Sequence, residues 1–117
     1  MEGSAVDNAQ GGDVRTAGYP TLKETDITRQ IRTVLKTLGI FHFKHFGGPL
    51  APKGISDLIG CHEGKFIALE VKRPGGKPSP EQMQFIADVQ RSGGIAGVVY
   101  SVEDVIELLG LKNRFLF

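Results

Sequence analysis

Apolar and polar residues alternate in the middle of the chain, as they do along a β-strand. Over residues 66–72, one set of alternate side chains is large and apolar, while Glu70 and Lys72 share the opposite face. A second short apolar stretch precedes this one at residues 54–59, and the polar residues 61–65 between them include a glycine. The two stretches therefore predict a β-hairpin.

Three helices are predicted around the hairpin from apolar residues at helical spacing. Each has a serine or threonine at its N-cap and a glycine at its end. These pairs are Thr21 and Gly39, Ser79 and Gly93, and Ser101 and Gly110. Glu24 and Gln82 lie three residues after the first two caps and would complete capping boxes.

Two more strands are predicted, over residues 40–46 and 95–100. A right-handed crossover would set the last strand parallel to the strand of Glu70. The resulting order α-β-β-β-α-β-α indicates an α/β fold, with a central mixed sheet flanked by helices.

The length of 117 residues suits one domain with a buried core. Residues 1–20 lack apolar periodicity, so we expect a flexible leader or cloning remnant there and a single domain over residues 21–117. One cysteine, Cys61, excludes an internal disulfide and is typical of a reducing compartment. No apolar run has the length of a membrane span and no secretory signal is found, so the expected location is cytoplasmic.

Two carboxylates are predicted to meet on the hairpin. Glu70 lies beside Lys72 near the end of the apolar strand, and Asp57 on the partner strand supplies the second carboxylate. Converging carboxylates repel each other unless a cation lies between them, and oxygen ligands suit Mg²⁺ or Mn²⁺. The pattern predicts a divalent-metal site with a lysine at its edge, although Glu and Lys on a solvent-facing strand also form ordinary surface pairs.

Several short motifs together resemble the virus-type replication-repair nuclease (VRR-NUC) domain of the PD-(D/E)xK nuclease superfamily. They are Glu24, Gly54-x-Ser56-Asp57, Ala68-x-Glu70-Val71-Lys72, Gly76-Lys77-x-Ser79-x-Glu81-Gln82 and Gly93-Gly94. The resemblance extends from Leu22 to Leu109 and implies a restriction-endonuclease-like fold. Ser56 departs from the superfamily pattern, which has proline before the first acidic residue.

The resemblance also implies roles for the residues of these motifs. The implied metal ligands are Asp57, Glu70, the main-chain carbonyl of Val71, and Glu24, which would bind a metal or its water. Lys72 would orient or help deprotonate the attacking water, and Gln82 would support the site from the following helix. For Glu24 and Gln82, the capping box is the competing interpretation.

Four cations lie near the ends of the predicted site-bearing elements, although the net charge of the chain is only +1. They are Lys44, Lys53, Arg73 and Lys77. Positive charge beside a carboxylate cluster suits a phosphate backbone, whereas a charge run is usually a solvated face. No aromatic platform for stacking single strands is evident, so duplex or branched DNA is the expected partner. His42 and His45 face opposite ways on a strand and make a poor zinc pair.

The hypothesis is a metal-dependent, structure-selective DNA endonuclease. Small members of the resembled family are associated with cleavage of four-way (Holliday) junctions as homodimers, and a two-fold dimer matches two symmetric sites. The expected setting is the cytoplasm of a bacterium or of a cell infected by a phage that encodes the protein. The tail, Leu111 to Phe117, and Phe41, Phe43 and Phe46 are candidates for the dimer surface, although we expect the three phenylalanines in the core. The alternatives are a flap or general structure-selective nuclease and a nucleic-acid-binding module without turnover.

Overall fold

The computed structural model of the protein describes residues 22–111, which form a four-stranded sheet and three helices. In chain order the elements are α1 (Glu24–Thr37), β1 (Phe41–Lys44), β2 (Leu58–His62), β3 (Lys65–Val71), α2 (Pro80–Arg91), β4 (Ile95–Val99) and α3 (Val102–Leu108). The predicted order α-β-β-β-α-β-α and the mixed α/β architecture are confirmed. The expected leader over residues 1–20, the Thr21 cap and residues 112–117 of the tail lie outside the described residues.

The strands lie in the order β1-β2-β3-β4 across the sheet. β2 is antiparallel to both β1 and β3, whereas β4 is parallel to β3, with Val98 opposite Glu70. A parallel neighbour needs a crossover connection, and α2 supplies it. The predicted parallel pairing of the last strand is therefore confirmed, and β3 has a hydrogen-bonded neighbour on each side.

Helices cover both faces of β3. Leu69 and Val71 pack on one face, in a core that α1 and α3 complete. Ala68 packs on the other face against Ile86 of α2. Because Glu70 shares the face of Ala68, α2 covers it, and Glu70 is only 1% exposed.

The central hairpin is tighter than predicted. Cys61 and His62 belong to β2 and pair with β3, so the turn is only Glu63–Gly64 rather than residues 61–65. Both turn residues have positive φ angles, 51° and 81°, which is the conformation of a two-residue type I′ hairpin turn. At the other end β2 begins at Leu58, so residues 54–57, predicted as strand, form a loop.

The starts of α2 and α3 agree with the predicted serine caps, whereas the start of α1 differs from the prediction. Ser79 and Ser101 cap α2 and α3, each accepting a hydrogen bond from the backbone three residues on. α1, however, has Lys23 as its N-cap, and the Lys23 amide donates to Asp26 Oδ2 at 3.2 Å. α1 therefore begins two residues later than a cap at Thr21 would place it, with Glu24 as the first residue of the helix. None of the described helices is long and apolar enough to cross a membrane.

The expectation that the three phenylalanines lie in the core is wrong. Phe41, Phe43 and Phe46 are 68%, 47% and 77% exposed. α2 packs over β3 and β4, which leaves the same face of the edge strand β1 uncovered. The rings of Phe41 and Phe43 meet edge to face on it, with centroids 6.4 Å apart. Phe41 and Phe43 thus form an exposed aromatic surface on β1.

Candidate active site

Asp57 and Glu70 meet where β2 begins and β3 ends. Leu58 pairs with Leu69, and continuing that antiparallel register by one position sets Asp57 opposite Glu70. The amide of Val71 donates a 3.0 Å hydrogen bond to Asp57 Oδ2. Asp57 is therefore fixed by its side chain to the end of β3, beside Glu70.

Glu70 is a buried carboxylate with only part of its hydrogen-bonding capacity used. Its Oε2 accepts from Gln82 Nε2 at 3.1 Å and lies 3.7 Å from Lys72 Nζ. Its Oε1 is buried and has no hydrogen-bond partner among the described residues. Burial and then the negative charge of Asp57 raise the pKa of Glu70 to about 8, against the opposing effect of Lys72. The surface-pair interpretation of Glu70 and Lys72 is thus wrong.

Gln82 combines the two roles that the sequence left as alternatives. Its backbone amide donates to Ser79 Oγ at 3.1 Å, and its Oε1 accepts from the Ser79 amide at 2.7 Å. Its Nε2 remains free of that capping box and donates to Glu70. Since a carboxamide has a donor end and an acceptor end, one side chain caps α2 and orients the buried acid.

Glu24 lies exposed at the start of α1, on the rim of a depression of about 280 Å³. The depression is lined by Glu24, Thr25, Thr28, Arg29, Arg32, Lys44 and Asp57. The charge of Glu24 contributes to raising the pKa of Glu70, after burial and the charge of Asp57, so the three carboxylates lie within electrostatic reach of one another.

The α1 lining of this depression was missed in the sequence analysis. Thr25, Thr28, Arg29 and Arg32 recur at intervals of three, one and three residues, which places them on one side of a helix. That polar stripe next to Glu24 was the signal that could have found them.

The four predicted basic residues divide into two pairs. Lys44 lines the depression of Glu24 and Asp57, and its Nζ lies 5.3 Å from the centroid of the Phe46 ring. Lys53 borders a second depression that also reaches Asp57. Arg73 and Lys77 are exposed in the loop after β3, and no described contact brings either to the carboxylates.

The loop that carries Asp57 rests on the first turn of α2. Gly54 has a φ of +88°, and a Cβ added there would overlap the main chain of Glu81. Only glycine fits this contact, because the main chain of α2 approaches closely and the φ angle is positive. The contact fixes the position of the Asp57 loop relative to the helix that carries Gln82.

Ser56, the residue that replaces the superfamily proline, is fully buried. Its hydroxyl has no hydrogen-bond partner among the described residues. Nothing in the described part of the structure explains a preference for serine at this position.

The donor set at the end of β3 suits a hard cation. Two facing carboxylates, one with an unpartnered buried oxygen, provide the oxygen ligands that Mg²⁺ and Mn²⁺ prefer. Within residues 22–111, no group of three or more His, Cys, Asp and Glu side chains has the geometry to hold a metal ion. A complete ligand set therefore needs a main-chain oxygen or water in addition to Asp57 and Glu70.

Comparisons with known proteins agree with this architecture. Residues 42–103, just over half of the chain, match the model of the VRR-NUC domain, and the match includes Asp57, Glu70, Lys72 and Gln82 but not Glu24. A solved structure described as a VRR_NUC domain protein superposes with a TM-score of 0.63 at 15% sequence identity. The match covers 83% of this chain and 90% of that one. Among curated proteins, no significant match to this sequence was found.

Proposed function

Because the chain belongs to the VRR-NUC domain family, which implies a nuclease-type function, we propose that it is a divalent-metal-dependent endonuclease that hydrolyses phosphodiester bonds in structured DNA. The observation that carries the proposal is the pairing of Asp57 with the buried Glu70, whose pKa is raised to about 8. Two opposed carboxylates repel each other when both are ionised, and a bound cation removes that repulsion. We include residues 21–117 in this single nuclease domain.

Asp57, Glu70 and the Val71 carbonyl would hold Mg²⁺ or Mn²⁺, and Glu24 would bind the ion or its water from the start of α1. When bound, such an ion would activate a water molecule and neutralise the negative charge that develops on the phosphate. The Oε1 atom of Glu70 supports this assignment, since it is a buried oxygen with no hydrogen-bond partner among the described residues.

Lys72 would act on the attacking water and the scissile phosphate. Its side chain is mostly buried, and its Nζ lies 3.7 Å from Glu70 Oε2, so its charge is directed at the carboxylates rather than at solvent. A cation held in this position favours the ionised form of Glu70 and stabilises added charge on the phosphate. Gln82 would act as a positioning residue, because it holds Glu70 Oε2 by a hydrogen bond.

We propose the four-way junction as the substrate and a homodimer as the active form. A junction has two symmetric scissile sites, and a two-fold dimer carries two symmetric active sites. The exposed phenylalanines of the edge strand β1 support a second copy as the partner, because Phe41 and Phe43 form an uncovered apolar surface on that strand. A cytoplasmic location, in a bacterium or a phage-infected cell, belongs to the same proposal and is supported by the single unpaired cysteine.

The experiment that tests the proposal compares labelled four-way junctions, flap substrates and linear duplex DNA with Mg²⁺, with Mn²⁺ and with EDTA. We expect metal-dependent cleavage of the junction, and none by the Asp57→Asn or Glu70→Gln variants. Preferential cleavage of the flap, or equal cleavage of linear duplex, would overturn the junction assignment. DNA binding without cleavage in either metal would instead favour a binding module of the same fold.

A further inference from the structure

Arg32 is held in an unusual way for a surface cation. It lies half-buried on α1, and its Nε donates to Nε2 of His42 at 3.3 Å. The other ring nitrogen of His42, Nδ1, lies 3.0 Å from the carbonyl oxygen of Ile40. This pair of contacts selects the tautomer in which Nδ1 carries the proton and donates to the carbonyl, so that Nε2 is free to accept from Arg32.

The positive charge of Arg32 has no acidic partner in the described part of the chain. Arg29 pairs with Asp26 and Arg91 pairs with Asp88, but Arg32 makes no ion pair with any residue from 22 to 111. A neutral imidazole fixes the guanidinium without cancelling its charge. Arg32 therefore remains available to an anion from outside the molecule.

The surroundings of Arg32 suit an anion that is part of a longer chain. The depression that Arg32 lines is also lined by Thr28 and Lys44, and it continues to Asp57 and Glu24. Arg32 lies eight residues after Glu24 on α1, a rise of roughly 12 Å. Arg32 therefore lies about two helical turns along α1 from Glu24, on the same open depression.

We propose that Arg32, positioned by His42, binds a backbone phosphate of the substrate strand away from the scissile phosphate. The inference rests on the proposed nuclease function, since it takes the strand to extend from the carboxylates of Asp57 along α1. A guanidinium offers two parallel N–H donors to a phosphate, and the two Nη groups remain for this purpose when Nε is held by His42. His42, which the sequence analysis left without a role, becomes a positioning residue.

The test is the binding of fluorescein-labelled junction and duplex DNA to the full chain in EDTA, measured by fluorescence anisotropy between about 50 and 200 mM salt. We expect Arg32→Gln to weaken binding at least about tenfold and to reduce the slope of log affinity against log salt by about one. Lys36→Gln, on the exposed last turn of α1, should change affinity less than about twofold. Unchanged affinity and slope for Arg32→Gln would overturn the inference.

Two further variants separate binding from folding. Arg32→Lys keeps the charge and loses the planar fork, so we expect it to keep the salt slope with an intermediate affinity. His42→Ala should weaken binding, and His42→Gln, which retains an acceptor, should restore it. If Arg32→Gln does not fold, a wild-type affinity of Arg32→Lys together with a wild-type affinity of His42→Ala overturns the inference.

The same measurements distinguish this inference from the proposed function. If DNA binding depends on Arg32 but the protein cleaves no DNA with Mg²⁺ or Mn²⁺, the nuclease proposal is overturned and the proposed phosphate site is supported. Metal-dependent cleavage together with DNA affinity that does not depend on Arg32 would support the nuclease proposal and overturn the proposed phosphate site.

Discussion

The side-chain amide of Gln82 donates a 3.1 Å hydrogen bond to the buried carboxylate of Glu70, across the interface between α2 and β3. The same side chain closes the N-terminal capping box of α2 through Ser79. The start of a helix and the orientation of a candidate catalytic acid therefore depend on one residue. Removing the two functions separately shows which of them the active site needs.

Gln82→Ala should lower both stability and cleavage. The substitution removes the bond to the Ser79 amide and leaves Glu70 Oε2 without its amide donor, so we expect a loss of about 1–2 kcal/mol in the free energy of unfolding. Cleavage should fall about tenfold or more, because a misoriented ligand weakens the metal and the water it activates.

Ser79→Ala is the matched control for Gln82→Ala. It removes the bond from the Gln82 amide to Ser79 Oγ but leaves the bond between Gln82 and Glu70 in place. We expect a similar loss of about 1 kcal/mol by urea unfolding, with kcat close to the wild-type value. Equal loss of kcat in both variants would mean that only the helix start matters.

Gly54→Ala should disrupt the contact between the Asp57 loop and α2. The new methyl group would overlap the main chain of Glu81, and the backbone is also in the left-handed region. Gly75 has almost the same φ, +87°, but nothing lies within 4 Å of its Cβ position. Gly75→Ala therefore reports the conformational strain alone, which costs about 1–3 kcal/mol.

We expect Gly54→Ala to exceed Gly75→Ala by about 1–3 kcal/mol in urea unfolding, since overpacking adds to the strain. Only Gly54→Ala should lower cleavage, because only this substitution displaces the loop that carries Asp57. Equal destabilisation by the two substitutions would contradict the close contact with α2.

The stability of the metal-free protein should fall as pH rises toward 8. Below the ordinary carboxyl value of 4.5, Glu70 is protonated in both the folded and unfolded chains. Between 4.5 and about 8 only the folded chain keeps the proton, so the unfolded chain binds fewer protons and the free energy of unfolding decreases with pH. The stabilisation is fully present at the acidic end and is lost through this window.

Urea unfolding in EDTA between about pH 5 and pH 8 measures this slope. Glu70→Gln cannot titrate, so its slope should be flatter than that of the wild type, and the difference between the two proteins isolates Glu70 from the histidines. A wild-type slope no steeper than that of Glu70→Gln would show that Glu70 keeps an ordinary pKa.

Lys72→Ala should reduce the rate more than DNA affinity. The ammonium lies 3.7 Å from Glu70 Oε2, where it opposes the rise in the pKa of Glu70 and faces the carboxylate site. We expect kcat to fall about 100-fold or more, and the pH-rate profile to shift to higher pH because Glu70 ionises later. Lys77→Ala, in the exposed loop that follows, is the control.

Binding of DNA in EDTA completes the measurement on Lys72. Affinity for Lys72→Ala should stay within about threefold of wild type, since the Lys72 ammonium already lies 3.7 Å from Glu70 Oε2 and is less available to a phosphate than a cation without an ion pair. A large loss of affinity with kcat preserved would make Lys72 a binding residue only.

Replacing Phe41 and Phe43 by serine should abolish the proposed dimer while the domain stays folded. Both rings are largely exposed in the single chain, so their removal should change the free energy of unfolding by about 1 kcal/mol or less. Light scattering measures the mass directly. Phe46→Ser, which removes an exposed phenylalanine outside β1, is the control and should remain dimeric. A monomeric wild-type protein at every concentration would contradict the dimer.

Local sequence signals predicted most of the fold. Serine caps, terminal glycines and apolar periodicity depend on neighbours a few residues away, which is why the starts of α2 and α3 were correct. The hairpin turn was placed too broadly because Cys61 and His62 have no apolar alternation to mark them as strand. The pairing of Asp57 with Glu70 was predictable, since a hairpin brings its two strands together.

The features that could not be predicted from the sequence depend on how elements distant in the chain pack together. The exposure of Phe41 follows from the position of α2 over the other end of the sheet, which no local pattern encodes. The two roles of Gln82 could not be separated, because one carboxamide serves both. The link from Arg32 to His42 joins a helix to a strand, and neither residue has a motif of its own.

The candidate site takes its parts from α1, the start of β2, the end of β3 and α2, and β4 completes the sheet by pairing with β3. Translation therefore adds Asp57 and Glu70 to the chain before Val99, the last residue of the strand that completes the sheet. We expect the nascent polypeptide to have no nuclease activity during its synthesis. The activity should appear only when β4 has joined the sheet and the domain has folded.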